Sequence, residues 1–391
     1  MGTRNARIGL AALGSLLAAL AVTAPAQAAP GGAGAGCKPS IQVLERLSPA
    51  EDPHPSPWVR RTQVSAIAPG PSRLAVGMSG MKAVYWIGTR VFAVPMPADA
   101  GPGALTDVNR SGLMVGKVLT SEGSKAFSYR HGDSAITLLP GGGAAYGVND
   151  HGVIVGNVWD AAQNRTIARE WSGTRIRREL PAPAGYLIHF MSGINNAGQA
   201  VGNGETREPL PGTQIWITPG LHWSADARTA PRVLRPADDT GDRYVTRGID
   251  ESGRIVGYQK QASADGSEIA VMWNRPDGPP VYAPWALGAM GGTFEAVSPN
   301  THVAVGLAEF RYDSPPPEDS PDARAQYWTG SGPMRVLPGL APSRFTAAFA
   351  VTDDDRVGGA ALDADGRVQP VIWTCAAKQA FVLPEAPAEK G

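Results

Sequence analysis

The chain is predicted to be all-β, a propeller of seven four-stranded blades, and three observations lead there. One is composition: 391 residues carry 48 glycines and 35 prolines. Together these are about a fifth of the chain, against an average near 12%, as many short strands and turns require. A second is a hairpin signature, clearest in Gly143 to Gly156 (GAAYGVNDHGVIVG). There Asn149 can bond its own backbone two residues on, and Gly152 supplies the φ > 0 corner between two apolar runs. The third is repetition of that hairpin along the chain.

Seven copies align, starting near residues 64, 104, 144, 190, 245, 294 and 347. Their closing glycines, Gly77, Gly116, Gly156, Gly202, Gly257, Gly306 and Gly358, recur every 39 to 55 residues. That period fits a unit of four short strands and exceeds the ~25 residues of a solenoid coil. The count becomes six or eight if a degenerate copy is misassigned.

Within each copy the elements follow in order. Strand A ends on Ile/Val-Asn, the x-x-Gly turn follows, and strand B begins at Val-Val-Gly. After a variable connection, strand C is apolar and closes on an aromatic: Trp86, Tyr129, Trp171, Trp223, Trp273, Trp328 and Trp373. A turn such as Ser172-Gly173-Thr174 leads into strand D, which often ends on Leu-Pro, as at Leu139-Pro140, Leu180-Pro181, Leu337-Pro338 and Leu383-Pro384. One such sheet cannot bury both faces, and stacking on its neighbours does. An aromatic at one fixed strand position therefore reads as packing between blades, where a ring buries ~150–250 Å². A ring of sugar-stacking aromatics is the competing reading.

The ends carry their own signals. Arg4, Arg7, the apolar run Ile8 to Val22 and Ala26-Gln27-Ala28 form an export signal with cleavage expected after about Ala28. Residues 29–40 are a flexible lead-in, 41–386 the propeller, and 387–391 a tail. Cys37 and Cys375 are the only cysteines, and in an exported chain the pair reads as a disulfide joining the two ends. Lipid attachment at Cys37 would need an aliphatic residue at position 34, where Gly34 stands. Ile41 to Leu47 alternates like a D strand that precedes any A strand, so it should complete the last blade beside Val371 to Trp373 and leave no open edge. Phe381 to Leu383 is an eighth D-like segment.

At this point a resemblance can be named. Leu287-Gly-Ala-Met-Gly291-Gly292-Thr-Phe-Glu-Ala296-Val297, the hairpin at 143–156 with its preceding Leu139-Pro-Gly-Gly-Gly, and Ala126-Phe127-Ser128-Tyr129 resemble the HAF repeats of bacterial secreted proteins. It covers roughly residues 60–384. Copies two to five match well, whereas copies one, six and seven have lost the Asn or the turn Gly. The resemblance implies a propeller-like fold and export, and no chemistry.

Candidate chemistry is sparse. Equal numbers of acidic and basic residues, 35 each, argue against sequence-independent nucleic-acid binding. No run beyond residue 28 reaches the ~18 apolar residues of a membrane span. The six histidines lack zinc spacing, and neither a nucleophile elbow nor a phosphate loop is present. Asp353, Asp355, Asp363 and Asp365 form the densest carboxylate set, a candidate for calcium, although Asp363 to Gly366 also reads as an ordinary hairpin turn. Strand A residues should line the channel, and they read as Ala, Ser, Thr, Gly and Tyr, with Arg247 and Glu295 as exceptions. A catalytic channel would need two or more carboxylates converging with an Arg or His.

The copies differ most between strands B and C, at 205–213, 259–268 and 309–324, on three successive blades and one face. Loops of this length tend to carry function. The expected site on that face comprises Trp159, Arg207, Lys260, Phe310, Arg311 and Tyr312. The expected function is a secreted, monomeric, non-catalytic binding or scaffold protein without a cofactor, its ligand a protein or cell-surface polysaccharide. The alternative is a hydrolase or lyase at the channel mouth.

Overall fold

The computed structural model describes residues 36–48, 62–206, 218–226, 229–234, 243–260, 267–310, 323–341 and 345–384. The export signal and Arg207, Arg311 and Tyr312 lie outside them. Seven four-stranded antiparallel sheets are arranged as the blades of a propeller. Blade 1 begins with strand A at Gln63–Ile67, and the A strands of blades 2 to 7 are Gly103–Val108, Ala144–Val148, Tyr186–Ile194, Arg243–Ile249, Ala289–Val297 and Thr346–Val351. In every blade A pairs with B, B with C and C with D, so the A–B and C–D turns lie on one face. The B–C connections and the crossings between blades lie on the other.

The last blade takes its D strand from the other end of the chain. Ser40–Val43 pairs with Val368–Thr374, with Ile41 opposite Trp373 and Val43 opposite Val371. The Cys37–Cys375 disulfide sits beside this pairing, with Cα atoms 6.0 Å apart. Phe381 does not join blade 7. After the short helix Ala376–Gln379 the chain turns back, and Phe381 bridges Val336 at the outer edge of blade 6. The eighth D-like segment thereby covers a neighbouring edge.

Blades stack through the C-strand aromatics. Trp86, Trp171, Trp223, Trp273 and Trp373 have no exposed surface, and Trp171 packs with Val115 and Ala126 of the preceding blade. Most of these rings also satisfy their N–H, Trp273 Nε1 being the exception among the described residues. The indole Nε1 of Trp171 donates to Pro140 O, that of Trp223 to Pro181 O and that of Trp373 to Pro338 O. The Leu-Pro ending of one blade is thus the acceptor for the tryptophan of the next. For blade 1 the acceptor is Glu45 O, just past the N-terminal strand.

A second seam runs through the hairpin turns. Asn149 Oδ1 accepts the backbone N–H groups of His151 and Val153 and so holds its own turn. Its Nδ2 donates to Asn195 O of the next blade. Asn109 donates in the same way to Asn149 O, and Asn195 to Asp250 O. Asp250 has no amide to donate, and His302 Nδ1 of blade 6 instead meets its Oδ2 at 2.6 Å. Asn300 then binds Asp353 of blade 7, and Arg356 closes on the carbonyls of Gly70 and Ser72 in blade 1.

All seven A strands carry a β-bulge at the same place, at Ser65, Thr106, Tyr146, Ser192, Arg247, Glu295 and Phe349. The recurrent glycine of strand B faces this bulge. A Cβ on Gly156 would overlap the carbonyl oxygen of Ala144, so the close approach requires glycine. In the seventh copy the residue in that position is Gly359, against Ala347 O, and not Gly358.

Because the disulfide fixes the strand that closes the circle, its loss should be felt by the whole domain. Replacing both cysteines by serine is expected to lower the unfolding free energy by an amount whose upper bound from loop entropy is roughly 5 kcal/mol. Chemical denaturation of the oxidised, reduced and double-serine proteins measures it.

Candidate functional site

Bulges re-aim side chains, and here they aim them at the axis. The seven bulge residues line the floor of a cavity of about 520 Å³, within the range of roughly 300–1,000 Å³ typical of small-ligand pockets. Its wall rises through Asp107 and small residues such as Gly193, Gly248 and Ala296, and its rim includes Arg110, Asp150, Asn196 and Glu251 on the A–B turn face. Two of the bulge residues also serve the fold: Thr106 Oγ1 donates to Ala145 O and Ser192 Oγ to Thr246 O, each in the next blade. The facing glycines are by contrast used by every blade and the tryptophans by six of the seven, while the turn asparagine is kept in three, at Asn109, Asn149 and Asn195.

Two bulge residues are charged and adjacent. Arg247 Nε lies 3.4 Å from Glu295 Oε2, and the guanidinium is laid between the rings of Tyr258 at 5.4 Å and Phe190 at 5.8 Å. Burial works against the charge of Arg247, but Glu295, Tyr258 and Glu268 outweigh it and hold the group protonated. Glu295 Oε1 accepts the hydroxyl of Thr293. Towards the B–C face the network continues through Glu268 to Lys260, whose Nζ is 3.6 Å from Glu268 Oε1. Burial raises the Glu268 carboxyl, with Lys260 opposing.

Asp107 is the third charged group of the channel, and the sequence reading passed over it. It follows the bulge of blade 2, where the other blades carry Ala or Gly. Its Oδ1 accepts Val108 N and its Oδ2 accepts Val148 N of the next blade, each at 2.8 Å. Burial pushes its pKa up to about 7, opposed by those two N–H groups and assisted by the charge of Asp150. At the rim, burial and the like charges of Asp150, Asp250 and Asp353 raise Glu251, with the N–H of Asn196 opposing. The lining of the channel therefore includes Asp107 and Glu295 with Arg247, although only Glu295 and Arg247 are in contact. The signal was available, since Asp107 occupies an aligned strand-A position.

The residues expected on the B–C face are strand ends. Trp159 lies within Val153–Asp160 and is 60% exposed. Lys260 closes Ile255–Lys260. Phe310 closes Ala304–Phe310, half-buried against the cluster containing Trp328. They share a face, but Trp159 is three blades from Phe310. The four aspartates do not form one site. Asp353 and Asp355 precede the strand Arg356–Leu362, and Asp363 and Asp365 follow it, at opposite ends of the blade. Asp353 ties blade 6 to blade 7. Asp355 accepts Tyr327 Oη and the N–H of Ala377. Asp363 organises its own hairpin through the N–H groups of Asp365 and Arg367. Among the described residues no group of three or more His, Cys, Asp or Glu could hold a metal ion, and no helix is long and apolar enough to cross a membrane.

The raised Asp107 makes stability pH-dependent. Between its ordinary value of 3.8 and about 7 the folded state binds more protons than the unfolded one, so stability falls as pH rises through that window. In Asp107→Asn the slope of the denaturation midpoint against pH between about 4 and 7 should be shallower than in the parent. Urea titrations at a series of pH values read it directly.

Thirty-five solved chains match this one, among them the following two. The chain is similar to the WD40 β-propeller domain of Doa1, with a TM-score of 0.44 and 11% identity over 86% of this chain and 97% of that one. It is also similar to a Dyadobacter fermentans DSM 18053 protein described as of unknown function, with a TM-score of 0.42 and 10% identity over 82% of this chain and all of the other. No family model and no curated protein matches the sequence.

Proposed function

We propose that this chain is an exported, non-catalytic binding or scaffold protein of the HAF-repeat kind. It engages a protein or a cell-surface polysaccharide with the face from which the B–C connections leave. The propeller fold is consistent with a binding or scaffold role, and the Cys37–Cys375 disulfide is consistent with an extracellular location. The observation that carries the reading is the divergence of the B–C connections on three adjacent blades. Their described roots, Glu205, Lys260, Glu268 and Phe310, mix charge with an aromatic, and Trp159 adds an exposed indole on the same face.

A second reading, a hydrolase or lyase at the channel mouth, draws support from Asp107, Glu295 and Arg247 in one cavity. Against it stands the way the carboxylates are spent. Both oxygens of Asp107 accept backbone N–H groups, and Glu295 is tied to Arg247 and Thr293. A general acid or base must reach a substrate proton; Asp107 is held to the wall through both oxygens, and Glu295 Oε2 stands beside the guanidinium of Arg247.

Shortening the connection within 311–322, outside the strands Ala304–Phe310 and Ala323–Trp328, should abolish or sharply reduce binding of the mature protein on a glycan array and on a panel of cell-surface proteins. Trp159→Ala should weaken it with no change in folding stability, since an exposed indole contributes little to the core. Identical binding profiles for the parent and the shortened variant would remove these connections as the site. Release of reducing ends from any array polysaccharide would favour the catalytic reading.

A further inference from the structure

The channel cavity opens on the face opposite the B–C connections, so what it does is separate from the role assigned to them. Its floor contains an ion pair whose hydrogen-bonding capacity is largely unspent. The guanidinium of Arg247 offers five N–H donors. Among the described residues its one hydrogen bond is from Nη2 to Tyr258 Oη, at the long distance of 3.5 Å. Its Nε, close to Glu295, makes none. On Glu295, Oε1 is used by Thr293, while Oε2 has only the ion pair. A half-buried charge pair left short of hydrogen bonds is costly, and here the two rings hold it rigidly against the lumen. Such an arrangement is pre-organised for a ligand that supplies an acceptor and a donor side by side.

Charge decides which ligand. An anion would meet four carboxylates, Glu295 on the floor, Asp107 on the wall and Asp150 and Glu251 at the rim, against the two guanidiniums of Arg247 and Arg110. A free cation would meet Arg247 where the cavity is deepest. A neutral ligand with vicinal hydroxyls avoids both penalties: one hydroxyl accepts from the guanidinium while its neighbour donates to Glu295 Oε2. Tyr146 lines the same floor, its ring packed against the cluster of Ile188 and Met191 and with Lys117 Nζ 5.6 Å from its centroid. At about 520 Å³ the cavity is large enough for a small ligand. We propose that the central channel is a binding site for a neutral sugar, either free or at the end of a glycan chain, with Arg247 and Glu295 as its recognition pair.

The test is isothermal titration of the mature protein with glucose, galactose, mannose and N-acetylglucosamine and with neutral disaccharides built from them, alongside glucuronate and glucosamine. The expected result is saturable binding of at least one neutral sugar, with glucuronate and glucosamine weaker. Arg247→Met and Glu295→Gln should each weaken that binding by about tenfold, the loss of one charge-assisted hydrogen bond. The variant shortened within 311–322 should bind it like the parent, which separates this site from the opposite face. A diazirine derivative of the bound sugar should label peptides containing Tyr146, Arg247 or Glu295 in the unaltered protein, a readout that survives if a variant fails to fold. The proposal is overturned if no neutral sugar binds below roughly 10 mM, if glucuronate or glucosamine binds more tightly, if neither substitution changes affinity, or if the label falls elsewhere.

Discussion

A side-chain amide that works in two directions holds this propeller together. In Asn109, Asn149 and Asn195 the oxygen organises the turn of its own blade, and the nitrogen donates to the backbone carbonyl of the equivalent residue one blade on. All three are buried, where a hydrogen bond is strong and an unmade one is expensive. Local turn chemistry and the contact between blades are therefore the same residue, and a blade with the wrong turn loses its neighbour as well. The seam also accounts for the copies that lack Asn. Asp250 cannot donate, and the donor comes back from His302. Blades 6, 7 and 1 are joined through Asn300 with Asp353 and through Arg356 onto the first turn. These copies diverged in sequence while the bond between blades was remade from other groups.

The same economy operates nearer the axis. A bulge in each A strand demands a glycine opposite it in strand B, and the bulge releases one side chain per blade into the channel. The Val-Gly signature that identifies the repeat is thus the trace of a backbone irregularity; at the variable residue opposite it Thr106 and Ser192 donate to a carbonyl of the next blade, and among the described residues the charged ones at the same position do not. Arg247 and Glu295 stand at such positions. Asp107 stands next to one and reaches across to Val148 N, so it contributes both to the seam and to the field inside the channel.

Fold class, blade count, strand order and the pairing of Ile41 with Trp373 were legible because they follow from a pattern repeated seven times. The pairing of Cys37 with Cys375 was legible because the circle had to close. The dual use of Asn149 was not, since a turn preference explains the residue completely without reference to a neighbour. The bulge was hidden for a related reason: one extra residue in strand A does not disturb the spacing of glycines in strand B, and in the last copy it made Gly358 stand in for Gly359. Asp107 was hidden by its company, a single carboxylate in a column of Ala and Gly. The aspartates near residue 360 lie close in sequence, but the seven-residue strand Arg356–Leu362 carries the two pairs to opposite faces. Trp159, Lys260 and Phe310 read as loop residues because strand B runs longer than its apolar alternation shows.

The central claim, that the amide nitrogen of the turn asparagine holds neighbouring blades together, is tested most directly by Asn149→Asp. The substitution keeps the acceptor that organises the turn and removes the donor to Asn195 O, but it also puts a charge on a buried side chain, which salt screens little. Asn149→Ser beside it keeps a hydroxyl acceptor without a charge, as Ser298 does in the turn of blade 6. Urea denaturation of both variants separates the lost bond from the added charge. The account predicts a loss of about 1–3 kcal/mol in each. An unchanged denaturation midpoint, or a loss confined to Asn149→Asp, would contradict it.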